Sequence, residues 1–76
     1  LTIQENVFKV IGEALSVDPR EISISDNLVD DIWVDDLDII NVVILLEQFF
    51  DVNISDDEIK STIHVRDIVD LINNKT

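Results

Sequence analysis

The chain has 76 residues, 46% of them hydrophobic, and 17 acidic against 5 basic side chains give a formal net charge of −12; this suits one small, thin-cored domain over 1–76 rather than a disordered acidic tail. No cysteine means no disulfide, thiolate–zinc or cysteine-nucleophile chemistry, one histidine excludes any site that needs two, and one glycine excludes the glycine-rich phosphate loops. The acidic excess argues against nucleic acid and anionic membranes, and no apolar run reaches the roughly 18 residues of a membrane span or reads as a signal peptide, which leaves basic protein surfaces and divalent cations as partners.

The first predicted element is a helix over residues 3–15. Ile3, Val7, Val10, Ile11, Ala14 and Leu15 recur at helical spacing, and Thr2 with Glu5 makes a capping-box pattern at its start. Residues 16–34 follow as a long irregular connection holding the only proline and many Asp, Ser and Asn. Val17, Ile22, Leu28 and Ile32 are expected to pin it to the core. A loop this long in a small domain points to function.

A second helix is expected over residues 36–50. Leu37, Ile39, Ile40, Val42, Val43, Ile44, Leu45, Leu46, Phe49 and Phe50 make it apolar almost all round, more than one core-facing stripe requires. It reads as the central, most buried helix, with part of the stripe as an exposed docking face. Ser55 and Glu58 form another capping box, opening a short helix to about residue 61. Val65, Ile68, Val69 and Ile72 define a last helix ending near residues 73–74. The expected fold is all-α, a small four-helix bundle of three longer helices and one short one with a long loop between the first two.

The charge is not spread evenly. Residues 21–59 contain no Lys or Arg and hold 12 of the 17 acids. Acids near helix N-termini gain about 0.3–1 kcal/mol each from the helix dipole, which accounts for part of the pattern. The absence of any compensating base over this stretch suits the steering of a basic partner. Calcium is the competing use, but no window fits an EF-hand loop. No metal site is assigned, and Asp30, Asp31, Asp35 and Asp38 offer at most weak divalent binding. Catalysis has no support: paired carboxylates occur on any acidic surface, the serines sit in turns and caps, and His64 reads as a surface or capping residue.

The order of helix, long loop, acidic apolar helix, short helix and helix resembles the acyl carrier proteins. The resemblance covers the whole chain. It rests on the runs 27–32 (NLVDDI), 35–38 (DDLD), 46–51 (LEQFFD), 54–58 (ISDDE) and 65–72 (VRDIVDLI). It implies a non-enzymatic module of fatty-acid or polyketide-type synthesis that works with synthase or acyl-transfer enzymes through their basic surfaces. In that family a phosphopantetheine arm is joined to the serine of an Asp-Ser-Leu motif at the start of the second helix. Here the motif reads Asp35-Asp36-Leu37, so Asp36 stands at the attachment position, and Trp33 stands where a glycine is usual. Asp and Ser are near-equal helix caps, so Asp36 is expected to leave the helix about as stable as serine would. A carboxylate gives at best a hydrolysable acyl phosphate, so no phosphopantetheine is expected on Asp36.

The resemblance also implies a docking face. Asp35, Asp38 and Glu47, with Asp56, match positions that meet partner Lys and Arg, whereas Asn41 and Gln48 replace positions often acidic. Leu37, Ile40 and Ile44 lie at i, i+3 and i+7 and form an apolar stripe between the acids. Trp33 is either half-packed on the loop or an added aromatic anchor. Two histories fit Asp36: a carrier altered to block modification, or a natural relative that has lost carriage and kept docking. The alternative is an acidic interaction adaptor with no acyl-carrier role, and a divalent-cation-binding module is weaker still. The expected state is a monomer, cytoplasmic, or in an organelle lumen if cut from a longer precursor.

Overall fold

The computed structural model describes residues 2–76. The first helix, α1 (Ile3–Leu15), begins where the sequence places it. Thr2 Oγ1 accepts the Glu5 N–H at 3.1 Å, and Glu5 Oε1 accepts the Thr2 N–H at 3.4 Å, so two of the helix's free donors are met reciprocally. Ser16 ends the helix in the left-handed conformation, with φ 58°. The chain then folds back over α1. A Cβ on Gly12 would lie 2.7 Å from the Val17 carbonyl oxygen and 2.9 Å from Pro19 Cγ, so this approach requires glycine.

The connection to the second helix carries structure of its own. Pro19–Glu21 forms a 3-10 turn and Leu28–Ile32 a π-helical turn. Asn27 caps the latter, its Oδ1 accepting from Val29 and Asp30 N–H at 3.0 Å, while Asp31 Oδ2 accepts the Asn27 N–H at 2.9 Å. The segment is also tied to the far end of the chain. Leu28 N–H donates to Ile63 O at 2.8 Å, Val65 N–H to Asp26 O at 3.0 Å, and Arg66 N–H to Ile24 O at 3.0 Å. Asn27 and His64 form an antiparallel bridge in this run. Leu28 and Ile22 are buried and Ile32 packs on the core, as expected. Val17 is not a pin; it is 40% exposed.

The remaining helices are α2 (Asp36–Phe50), α3 (Asp56–Lys60) and α4 (Val65–Lys75). Ser55 Oγ caps α3 through the Glu58 N–H at 3.1 Å, and Glu58 Oε1 accepts the Ser55 N–H at 2.9 Å. α4 runs past residues 73–74 to Lys75, whose Nζ pairs with Glu58 Oε2 at 2.8 Å and draws the last turn toward α3. Among the described residues there is no strand, and the architecture is the expected small helical bundle.

α1 packs against both α2 and α4. Val7, Val10 and Ile11 meet Val65, Ile68 and Ile72 in one cluster with Leu28, Val42 and Leu46, all essentially inaccessible to water. The expectation that α2 is the most buried helix is corrected. Only Val42 and Leu46 of α2 are buried, against four residues each in α1 and α4. α2 lies along one side of the bundle, so much of its wide apolar surface faces water.

Candidate functional site

The site assembles at the N-terminus of α2. Asp35 is extended, with φ −151°, and is the helix cap: its Oδ1 accepts the Leu37 N–H at 2.9 Å and the Asp38 N–H at 3.2 Å. Asp38 reaches back, its Oδ2 accepting the Val34 N–H at 2.6 Å and the Asp35 N–H at 3.3 Å. The two acids read as docking groups are therefore also the pair that starts the helix.

Asp36 is not the cap. It is the first residue of the helix proper, exposed, one position beyond the capping oxygen. Its charge gains from the helix dipole, about 0.3–1 kcal/mol, where a serine would bring no charge. The equality of Asp and Ser as caps thus falls on Asp35, not on position 36.

Around Asp36 the surface is apolar. Val34 is 90% exposed, Leu37 65%, Ile40 51% and Ile44 45%. The last three form the i, i+3, i+7 stripe read from the sequence, and it faces solvent. Trp33 is half-buried and packs against the core. With Val29, Val34, Asp35, Asp36 and Ile39 it lines a cleft of about 230 Å3, so Trp33 and Asp36 share one concavity.

The other predicted docking residues lie further off. Glu47, near the end of α2, is half-buried, and its Oε2 accepts the Ile54 N–H at 2.9 Å, bracing the loop into α3. Asp56 is exposed on the first turn of α3. Asp30 is exposed on the π turn. Among the described residues, no three His, Cys, Asp or Glu side chains converge on a point that could hold a metal ion. His64 precedes α4, where the Asp67 Oδ2 accepts the N–H groups of Ile63 at 2.8 Å and His64 at 2.9 Å. Those two backbone bonds, His64 first, hold the Asp67 carboxyl below its ordinary range. The Glu58 carboxyl is likewise lowered, chiefly by Lys75, and that of Asp18 by Arg20.

Three features escaped the sequence reading. Val29 is 71% exposed and joins the Trp33 cleft. Glu47 has its bracing bond to Ile54, and Val34 is almost fully exposed beside Asp36. Only the unusual company of Val29 and Val34, apolar residues among five aspartates at 30–38, hinted at the first and third.

Comparison with known proteins agrees with this arrangement. Residues 5–72 match the family described as the phosphopantetheine attachment site. The acyl carrier protein of Campylobacter concisus (strain 13826) is 33% identical over 72 residues, covering 95% of this chain and 94% of the relative. The acyl carrier protein of Campylobacter lari (strain RM2100 / D67 / ATCC BAA-1060) is 34% identical over 74 residues, covering 97% and 96%. A solved structure, a candidate acyl carrier protein from Mycobacterium tuberculosis, superposes with a TM-score of 0.86 at 27% identity, covering 96% of this chain and 97% of that one. The sequence match over nearly the full length, the shared bundle and the exposed start of α2 place this chain in the acyl carrier protein family, whose members are carrier domains and not enzymes.

Proposed function

We propose that this chain is a docking member of the family: a non-enzymatic module that binds the basic surfaces of synthase or acyl-transfer enzymes and does not itself carry phosphopantetheine. The observation that carries the proposal is the start of α2. There the exposed stripe of Leu37, Ile40 and Ile44 lies beside the exposed carboxylates of Asp35 and Asp36, at the position where the family attaches its arm.

The residues present do not fit the arm. Its attachment needs a hydroxyl that attacks phosphorus and leaves a stable phosphodiester, and Asp36 offers a carboxylate. Ser25, in the connection, faces the Ser23 hydroxyl at 3.1 Å, and Ser55 is occupied in capping α3. No step through the arm is therefore assigned to this chain. What remains is recognition: apolar side chains supply contact area, and the flanking acids supply steering and register against basic partners. Trp33 and Asp56 belong to the proposed footprint, with Ile40 and Ile44 at its centre. Glu47 adds charge through the carboxylate oxygen that Ile54 does not use.

A pull-down with the chain as bait tests the docking. Recovery of synthase components, lost in the Ile40→Asp variant and weakened by salt, is expected. Recovery of unrelated proteins alone would favour the acidic adaptor with no link to acyl chemistry.

A further inference from the structure

Three carboxylates stand at the start of α2, and the fold uses two of them. Asp35 accepts from the Leu37 and Asp38 N–H groups, and Asp38 accepts from those of Val34 and Asp35. Asp36 lies between them and is exposed, and among the described residues no hydrogen bond or ion pair engages its carboxylate. Its charge is presented to solvent at the head of the exposed stripe of Leu37, Ile40 and Ile44.

We propose that this chain is a dead-end competitor of arm-bearing carriers: it occupies the enzymes that act on them and gives those enzymes nothing to turn over. The proposal rests on the docking reading above, in which Asp36 stands where relatives bear their arm, and adds what docking then does. With no hydroxyl at position 36 there is no arm and no acyl group to pass on, so every encounter ends in release of the unchanged chain.

The charge at position 36 decides which enzymes are held. The phosphodiester of an attached arm carries one negative charge, and the Asp36 carboxylate carries one at the same place. An enzyme that acts on the arm-bearing form therefore meets an anion where it expects one. A phosphopantetheinyl transferase is in the reverse position. It has to bring the anionic diphosphate of coenzyme A against a neutral hydroxyl, and a carboxylate there sets like charges side by side. The transferase is left free, while the enzymes that use loaded carriers are held.

The test adds the intact chain as an inhibitor to two assays. In the first, an acyltransferase moves an acyl group from its coenzyme A thioester to the arm thiol of its own loaded carrier, releasing coenzyme A. In the second, a phosphopantetheinyl transferase loads the unloaded form of that carrier. The chain is expected to raise KM for the carrier in the first assay and to leave kcat unchanged. Asp36→Asn keeps the size of the side chain and removes its charge; with an unchanged helical spectrum, it is expected to inhibit about threefold more weakly. Inhibition of the second assay is expected to be weaker than that of the first by about tenfold or more. Binding of the acyltransferase without inhibition, inhibition that Asp36→Asn leaves intact, or equal inhibition of loading would overturn the proposal and leave the docking reading standing. Absence of any binding to the acyltransferase in a pull-down would overturn the docking reading and the proposal with it.

Discussion

α4 and α2 are both rich in aliphatic residues, yet they use them in opposite ways. α4 places Val65, Ile68, Val69 and Ile72 in the core and turns charged residues outward, so its apolar content is explained by folding. α2 has ten apolar residues and buries two of them, leaving Leu37, Ile40, Ile44 and Phe49 between 45% and 65% exposed. Stability alone does not account for that surplus. Leu37 and Ile40 lie in the first turns beside Asp35 and Asp36, Ile44 continues their stripe and Phe49 lies at the far end of the helix, and the stripe is the part of the surplus that the proposed docking uses. Apolar residues in a small acidic domain therefore have to be divided into those the core needs and those it does not.

The sharpest way to break the contrast is to truncate on each side of it. Ile68→Ala in α4 and Leu28→Ala in the connection both empty fully buried sites, and each is expected to cost about 2–5 kcal/mol by denaturant unfolding. Losses below about 1 kcal/mol would mean the core is not where the structure places it. Asp38→Ala removes the acceptor for the Val34 and Asp35 N–H groups and is expected to cost about 0.5–2 kcal/mol, with the loss localised to the start of α2 by hydrogen exchange.

Asp67→Asn is a smaller and pH-dependent change, at about 1 kcal/mol or less. The native Asp67 carboxyl is lowered, so its contribution is fully present above the unfolded carboxylate range of about 3.9 and is lost as pH falls through the lower native value. The stability gap between parent and variant is expected to be present at about pH 5 and above and to close below about pH 4. A gap undiminished at the acid end would contradict the assignment. Least of all is expected from Ile40→Ser, within about 0.5 kcal/mol of the parent because the side chain is half-exposed. Its effect belongs in partner binding instead.

Much of this was legible in the sequence because it is local. The capping pairs Thr2 with Glu5 and Ser55 with Glu58 fixed two helix starts to the residue, since each is a contact three positions apart. The stripe of Leu37, Ile40 and Ile44 followed from helical spacing. What was not legible depends on residues far apart in the chain. The 16–34 connection is ordered by hydrogen bonds to Ile63, Val65 and Arg66, which no local pattern announces. In the last turn of α4, Lys75 pairs with Glu58 of α3, a contact between residues far apart in the chain. α2 looked central because composition cannot tell a helix wrapped by others from one lying along the side of a bundle. The capping role was one residue out of place, because three acids at 35, 36 and 38 all suit a helix start and only geometry separates them.

The central claim is that this acyl carrier protein family member keeps the docking surface without the attachment chemistry. The most direct measurement is the intact mass of the protein after incubation with a phosphopantetheinyl transferase and coenzyme A, alongside the Asp36→Ser variant. The account predicts an unchanged mass for the parent chain and the gain of one phosphopantetheine for Asp36→Ser. A gain of one arm on the parent chain would contradict it.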